Sequence, residues 1–429
     1  MKKASVITLG CSKNLVDSEK ILYHLKQNDY EIEHNGSFEN KDLVLVNTCG
    51  FIQDAKQESI DLILDLIEAK KEGYVKDIRV FGCLSERYKK ELEAEIPEIE
   101  HFYGTYEIDK ILSDLNIKPC QTEKEKRWLT TPSHYAYVKI SDGCNRTCSF
   151  CAIPIIKGKH RSRPFESIIA ECKYLAYKGT KEIILIAQDL SFYGVDLYKE
   201  QKLAELLKGI SEIEGVEWIR MHYLYPANFP YAILEEIKNN TKVCKYIDLA
   251  LQHMSDNQLK LMRRNITFEK TKKLLEKIRA SAPEIAIRTT MLVGHPGETD
   301  DDFETLFQFV KEFKFDRLGG FTYSDEDNTY AQKHYEDDVD ESTKTEKFNR
   351  LMELQQSVSQ QLNIAKIGKF YKTIIDREDD DYYVGRTEFD SPEVDNEVLI
   401  NKDKILTIGS FYEVKITSAD DFDLFGEVL

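Results

Sequence analysis

Ser141-Asp-Gly-Cys-Asn-Arg-Thr-Cys-Ser-Phe-Cys-Ala-Ile-Pro154 sets Cys144, Cys148 and Cys151 at the spacing CxxxCxxC, in a polar loop entered from the strand-like run His134–Ile140. Thiolates are soft ligands that select zinc, copper(I) or iron–sulfur clusters, and three of them this close together reach three corners of one inorganic cube. The fourth iron of a cubane is then left open for a substrate. A structural zinc site is the competing reading. It needs a fourth ligand, and His160, the only nearby candidate, lies outside the usual pair spacing.

Upstream, residues 1–120 alternate strand and helix signals, with strand-like runs at Ser5–Leu9, Leu43–Asn47 and Ile78–Phe81. Each run ends at a cysteine: Cys11, Cys49 and Cys83. Ile60, Ile63, Leu64 and Ile67 recur at helical spacing between the second and third runs. Parallel strands joined by βα units present their C-terminal ends on one edge, where ligand sites of open α/β sheets collect. The three distant cysteines are therefore expected to converge as a second set of cluster ligands, although a Cys after a strand also serves as a small buried hydrophobe.

Downstream, residues 121–133 have linker composition, with Thr130-Thr-Pro-Ser133 at their end. Residues 134–339 then give six βα-type units, with strands at His134–Ile140, Glu182–Ala187, Trp218–Tyr223, Tyr246–Leu251, Ile285–Leu292 and Leu318–Tyr323. Six units predict a partial barrel with its chemistry on the loops at the C-terminal strand ends. Those loops hold Gln188-Asp189, His222 to Pro226, Gln252-His253 and Val293-Gly-His-Pro-Gly-Glu-Thr299. Residues 340–365 predict an amphipathic connecting helix on Phe348, Leu351, Leu354, Val358 and Leu362, with Ser342 or Thr343 near its start. Residues 366–429 alternate short β-rich runs and turns, which predicts a small five-stranded β-barrel.

CxxxCxxC with Phe150 before the last Cys resembles the cluster loop of radical S-adenosylmethionine (SAM) enzymes, and the run Asp142 to Pro154, continuing to Arg161-Ser-Arg-Pro164, resembles their methylthiotransferase branch. Gly10-Cys-Ser-Lys-Asn-Leu-Val-Asp-Ser-Glu19 and Gly385 to Asp395 resemble the type that modifies a ribosomal protein more than the type that modifies tRNA. Ile247 to His253 and Phe321-Thr-Tyr-Ser324 are also similar to family segments, and the last domain resembles a TRAM domain. The resemblance implies an N-terminal parallel α/β domain, a central partial (β/α)6 radical SAM barrel and a C-terminal TRAM β-barrel.

It also implies two [4Fe-4S] clusters: a SAM-binding one on Cys144, Cys148 and Cys151, and a second on Cys11, Cys49 and Cys83. Gln188, Gln252 and Arg288, at or beside strand ends, together with Phe150 of the cysteine loop and Val293, are the candidate SAM contacts, and no catalytic residue beyond the cluster ligands is required. The implied reaction cleaves SAM to a 5′-deoxyadenosyl radical and places a methylthio group on the β-carbon of an aspartate in the twelfth protein of the small ribosomal subunit. An electron donor such as a flavodoxin or ferredoxin is implied, and the ribosomal subunit is a further partner. The rival readings are a tRNA adenosine methylthiotransferase and a non-enzymatic iron–sulfur electron carrier.

Composition bears on these alternatives. The net charge is −17, against a dominant grip on nucleic acid phosphates. Residues 366–429 alone hold 8 Lys and Arg against 16 Asp and Glu, net −8, so the terminal module suits a basic protein better than tRNA. No apolar run approaches a membrane span and no signal-peptide pattern opens the chain, so a cytoplasmic location without membrane contact is expected. Nine scattered cysteines fit a reducing compartment. Lys157, Lys159, His160, Arg161 and Arg163 form a basic stretch that serves either the cluster and the SAM carboxylate or ribosomal RNA. Cys120, Cys172 and Cys244 fit neither cluster pattern and read as packing thiols.

Overall fold

The protein is described by a computed structural model covering residues 1–117 and 125–429; Cys120 and the start of the expected linker lie outside the described residues. The first domain is a parallel sheet of β1 (Lys2–Thr8), β2 (Tyr30–His34), β3 (Lys41–Thr48), β4 (Val75–Gly82) and β5 (His101–Phe102), in the order β2-β1-β3-β4-β5. The central strands are continuous apolar runs such as Leu43-Val44-Leu45-Val46, buried on both faces by helices. The sequence signal misses β2 and β5 because they are edges: Tyr30–His34 buries only Tyr30, and β5 has two residues. Helices α1 (Ser12–Gln27), α2 (Gln53–Lys71) and α3 (Cys83–Glu95) follow β1, β3 and β4. One expectation is corrected in α2, where Leu64 is 48% exposed and Leu66 joins Ile63 and Ile67 in the core.

The second domain is an arc of six parallel strands: β6 (Tyr135–Lys139), β9 (Glu182–Ile186), β10 (Trp218–Met221), β11 (Tyr246–Gln252), β12 (Ala286–Val293) and β13 (Arg317–Thr322). They pair as β6-β9-β10 and β11-β12-β13, and bridges Ile219↔Val243 and Leu224↔Leu249 join the halves. Between β6 and β9 the chain makes an excursion closed by the antiparallel pair β7 (Ser141–Asp142) and β8 (Arg161–Ser162). This pair is too short for a sequence signal, yet it fixes both ends of the thiol loop.

The helix Glu341–Ile364 leads out of the barrel. Its N-cap is Asp340, which accepts from the Thr343 N–H at 2.9 Å, in place of the expected Ser342 or Thr343. The last domain closes as a barrel of β14 (Phe370–Glu378), β15 (Tyr382–Thr387), β16 (Val398–Asn401), β17 (Phe411–Ala419) and β18 (Leu424–Val428), in the order β14-β15-β16-β18-β17. Antiparallel pairing of β17 with β14 completes the closure.

Buried charge locks this barrel to the central one. Glu182, at the start of β9, takes Arg220 Nε and Arg386 Nη2 at 2.7 Å each, with all three side chains at most 2% exposed. Arg386 also pairs with Asp376 at 2.5 Å, which receives His134 Nε2 at 2.7 Å. Burial alone would raise the Glu182 carboxyl, but Arg386 and Arg220 outweigh it and hold it below the usual carboxylate range. Glu182→Gln leaves two buried guanidinium groups short of a counter-charge and is expected to destabilise this seam by about 3–5 kcal/mol. Glu217→Gln, which removes an exposed pair with Lys372, is expected to cost less than about 1 kcal/mol. Trp218, edge-on to Phe411 at 4.8 Å, reports both variants by fluorescence during denaturation, and equal midpoints would contradict the assignment.

Candidate functional site

The loop between β7 and β8 is shaped by backbone contacts. Gly143, at φ +76°, lies so close to Lys159 that a Cβ would meet the Lys159 carbonyl oxygen at 2.3 Å. Cys144 N–H donates to the Gly158 carbonyl at 3.1 Å, Arg146 N–H to Cys144 Sγ at 3.4 Å, and Ser149 N–H to the Met262 carbonyl at 3.1 Å. All three thiols are half-buried. Burial pushes Cys144 up to about 12 and raises Cys151 as well, so a bound metal centre is what would compensate the thiolates.

Two arginines attend this triad. Arg264 is buried, donates from Nη1 to Cys148 Sγ at 3.1 Å, and lies against the Tyr225 ring, whose hydroxyl is 3.7 Å from the same sulfur. Arg146 lies 4.0 Å from the centre of that ring and donates to Asp189 at 2.7 Å. Arg264 Nε, Arg146 Nη2 and Gln188 Oε1 are buried polar atoms without a partner. Such orphaned groups fit a site whose remaining acceptors and donors belong to a ligand.

The second triad forms on the C-terminal edge of the first sheet. The registers Thr8↔Asn47 and Thr48↔Gly82 set the ends of β1, β3 and β4 side by side, so Cys11, Cys49 and Cys83 follow one another along that edge. A Cβ on Gly10, at φ +86°, would meet Cys49 Cβ at 2.8 Å and Sγ at 2.9 Å, so only glycine allows this approach. Asn14 ties the edge together, donating to the carbonyls of Leu9 at 2.9 Å and Thr48 at 3.2 Å, with its Oδ1 3.8 Å from Cys83 Sγ. Burial pushes Cys83 up to about 12. Cys11 is held below the ordinary thiol value: the surrounding protein raises it, and Lys13 with the N–H groups of Asn14 and Lys13 lowers it by more.

The triads meet at the domain junction. Cys83 packs against Ala152 and Ile156, in the turn that begins directly after Cys151. Lys139 at the end of β6 binds Asp17 of α1 at 2.6 Å and Asp142 of the thiol loop at 2.9 Å. Arg127 joins Glu19 at 2.8 Å, and Glu326 receives Lys56 at 3.0 Å and Arg87 at 2.9 Å. A cavity of about 520 Å³ opens beside Cys11, lined by Tyr137, His222, Tyr223, Arg288 and, from the last domain, Glu393.

The expected SAM contacts are placed unevenly. Phe150 packs edge-on to His295 at 6.3 Å, Gln188 lies just past β9, and Gln252 ends β11 at φ +75°. Val293 is the last residue of β12. Arg288 is not at a strand end: it is the third residue of β12, and its guanidinium is shared between Asp248 at 3.3 Å and Asp395 at 3.4 Å. The basic stretch is largely spoken for, because Arg163 binds Glu125 at 2.6 Å, Arg161 lies 3.9 Å from the Tyr106 ring centre and Lys157 is buried. His160 Nε2 is 3.1 Å from Ser162 Oγ, away from the role of fourth zinc ligand. Among the described residues no group of His, Cys, Asp and Glu closes around a single ion. Cys172 and Cys244 are buried core residues. Arg264 and Lys13 were not anticipated; Arg264 is 116 residues from the sulfur it contacts.

Residues 138–310 match the radical SAM superfamily, residues 367–429 the TRAM domain, and residues 3–104 the uncharacterized protein family UPF0004. The ribosomal protein uS12 methylthiotransferase RimO of Phocaeicola vulgatus is 54% identical over 425 residues, 99% of this chain and 98% of the relative. The chain belongs to the RimO methylthiotransferase family. The RimO proteins of Parabacteroides distasonis and Bacteroides thetaiotaomicron are each 52% identical, over 427 and 429 residues, covering 100% of this chain and 99% and 98% of their own lengths. The solved radical SAM methyltransferase TsrM of Kitasatospora setae, with cobalamin and a [4Fe-4S] cluster bound, shares the fold at a TM-score of 0.54, 15% identity and 75% coverage of each chain.

SAM and [4Fe-4S] chemistry come with the RimO family, and the thiol-rich, cation-flanked loop fits them. Hydrogen bonds and positive charge beside the sulfurs favour the reduced, more negative state of a cluster. If a cluster is held at Cys148, Arg264→Gln is therefore expected to lower its midpoint potential by on the order of tens of millivolts, with Arg264→Lys in between. Redox titration followed by electron paramagnetic resonance measures this, and an unchanged potential would contradict a role for Arg264 at the sulfur.

Proposed function

We propose that this chain transfers a methylthio group to the β-carbon of an aspartate in ribosomal protein uS12. The observation that carries the proposal is the meeting of two cysteine triads from different domains, Cys83 of one lying against the turn that follows Cys151 of the other. Cys144, Cys148 and Cys151 would hold the SAM-binding cluster, and Cys11, Cys49 and Cys83 the second one. Bound there, the clusters and SAM supply one-electron cleavage of the sulfonium, sulfur for the new C–S bond and the methyl group.

The protein's own work is binding, orientation and exclusion of water. Gln188, with its unpaired buried oxygen, and Gln252, in a left-handed conformation at the end of β11, would serve as polar contacts for SAM. Phe150 completes an apolar wall with Met262, Leu292 and Tyr323 beside the loop, and Val293, at the end of β12, belongs to the barrel core. Arg288 acts on the substrate side, lining the cavity that opens at Cys11. The acidic last domain receives the basic ribosomal protein, free or within the assembled subunit. A flavodoxin- or ferredoxin-type donor supplies electrons, and the reaction takes place in the cytoplasm. Among the described residues no helix is long and apolar enough to cross a membrane.

Mass spectrometry of uS12 and of bulk tRNA from cells with and without the gene tests the assignment. An aspartate of uS12 is expected to lose its methylthio mass in the deletion while tRNA is unchanged. Loss of methylthio-adenosine from tRNA with uS12 unaltered would overturn it.

A further inference from the structure

The cavity beside Cys11 has to admit an aspartate side chain if uS12 is the substrate, and a carboxylate taken out of water is costly unless it meets a cation. The cations nearby are not equivalent. Arg288 is already divided between Asp248 and Asp395. Lys139 is held by Asp17 and Asp142. His222 donates or accepts at Ser391 Oγ, 2.8 Å away, and burial with Arg220 and Arg288 nearby keeps it well below its ordinary value, so it is neutral.

Lys13 differs from all of these. It is the second residue of α1, two positions after Cys11, and is 9% exposed. Its Nζ lies 3.4 Å from the centre of the Tyr223 ring, and among the described residues no carboxylate pairs with it. Tyr223 lines the cavity together with Cys11 and Ser12. Its backbone is held at φ +68°, a strained conformation for a bulky residue, by its N–H donating to Asp248 Oδ2 at 3.1 Å and its carbonyl accepting from Leu190 N–H at 3.1 Å. The chain thus keeps an ammonium group over an aromatic face, where its charge is stabilised without being neutralised.

We infer that Lys13 is the substrate-binding residue that takes the carboxylate of the target aspartate, moving from the Tyr223 ring to an ion pair when the side chain enters beside Cys11. This rests on the proposed uS12 reading and goes beyond it by naming the group that selects aspartate. An ammonium-to-carboxylate pair in a partly desolvated site fixes the orientation of the β-carbon toward the Cys11 edge, and an amide or an uncharged base gains nothing equivalent from it.

The test is equilibrium binding of two versions of purified uS12, carrying Asp or Asn at the modified position, to wild type, Lys13→Gln and Lys13→Arg, each with its clusters reconstituted. Wild type is expected to bind the Asp version roughly 10- to 100-fold more tightly than the Asn version. Lys13→Gln is expected to bring that ratio close to one while binding the Asn version as wild type does, which also shows that the variant is folded. Lys13→Arg should retain most of the preference. A Lys13→Gln protein that keeps the wild-type ratio would overturn the inference, as would loss of both versions alike while Lys13→Arg also fails. Failure of wild type to bind either version counts against the uS12 reading itself and is distinguishable from both.

Discussion

The arrangement depends on one buried ammonium. Lys139 closes β6 and binds Asp17, which lies on α1 six residues beyond Cys11, and Asp142, which lies two residues before Cys144. Burial would push the lysine toward its neutral form, but Asp142 and Asp17 outweigh it and raise its pKa, and Lys139 in turn lowers Asp142. A charge in that position is tolerated only while both carboxylates are present, so the bridge fixes the first sheet's cysteine edge against the cysteine loop of the barrel. Hydrophobic contact adds to the same junction, since Cys83, Ala152 and Ile156 pack together across it. Sites on two domains gain fixed geometry in this way without a continuous secondary-structure element between them.

The terminal barrel shows how a net charge is distributed. Its −8 includes Asp376, which pairs with Arg386 of the same barrel, and Asp390 and Asp395, which pair with Arg317 and Arg288 of the central one. The carboxylates left for a basic partner include the exposed Asp380, Asp381, Asp403, Glu413, Asp420 and Glu427, and Glu393 at the cavity. The domain is thus anchored by its buried charge and presents its surface charge outward. Glu182 is the hinge of that division, because it belongs to the central barrel and neutralises arginines from both sides of the seam.

Much of this was legible in the sequence, for physical reasons that can be named. Strands buried on both faces announce themselves as apolar runs, so the six strands of the central barrel and β1, β3 and β4 stood out. Edge strands such as Tyr30–His34 and two-residue pairs such as β7 with β8 lack that signal. The cysteine at each βα junction could be recognised because parallel topology dictates where strand ends gather. The contacts of Arg264 with Cys148 and of Lys13 with Tyr223 could not be read in this way, since the partners are remote in the chain. The same limit explains Arg288, which reads as a strand-end ligand and proves to sit mid-strand between two carboxylates. Leu64 and Leu66 were ambiguous because helical spacing alone leaves the phase of a stripe uncertain by a fraction of a turn.

The central claim is that two separate thiol triads each hold one cluster at a shared junction. Iron and acid-labile sulfide, measured with the Mössbauer spectrum after anaerobic reconstitution, test it most directly in three proteins: wild type, C11A/C49A/C83A and C144A/C148A/C151A. The account predicts the content of two [4Fe-4S] clusters in wild type and of one in each triple variant, the remaining cluster differing between the two. Full cluster content surviving loss of either triad, or wild type saturating at a single cluster, would contradict it.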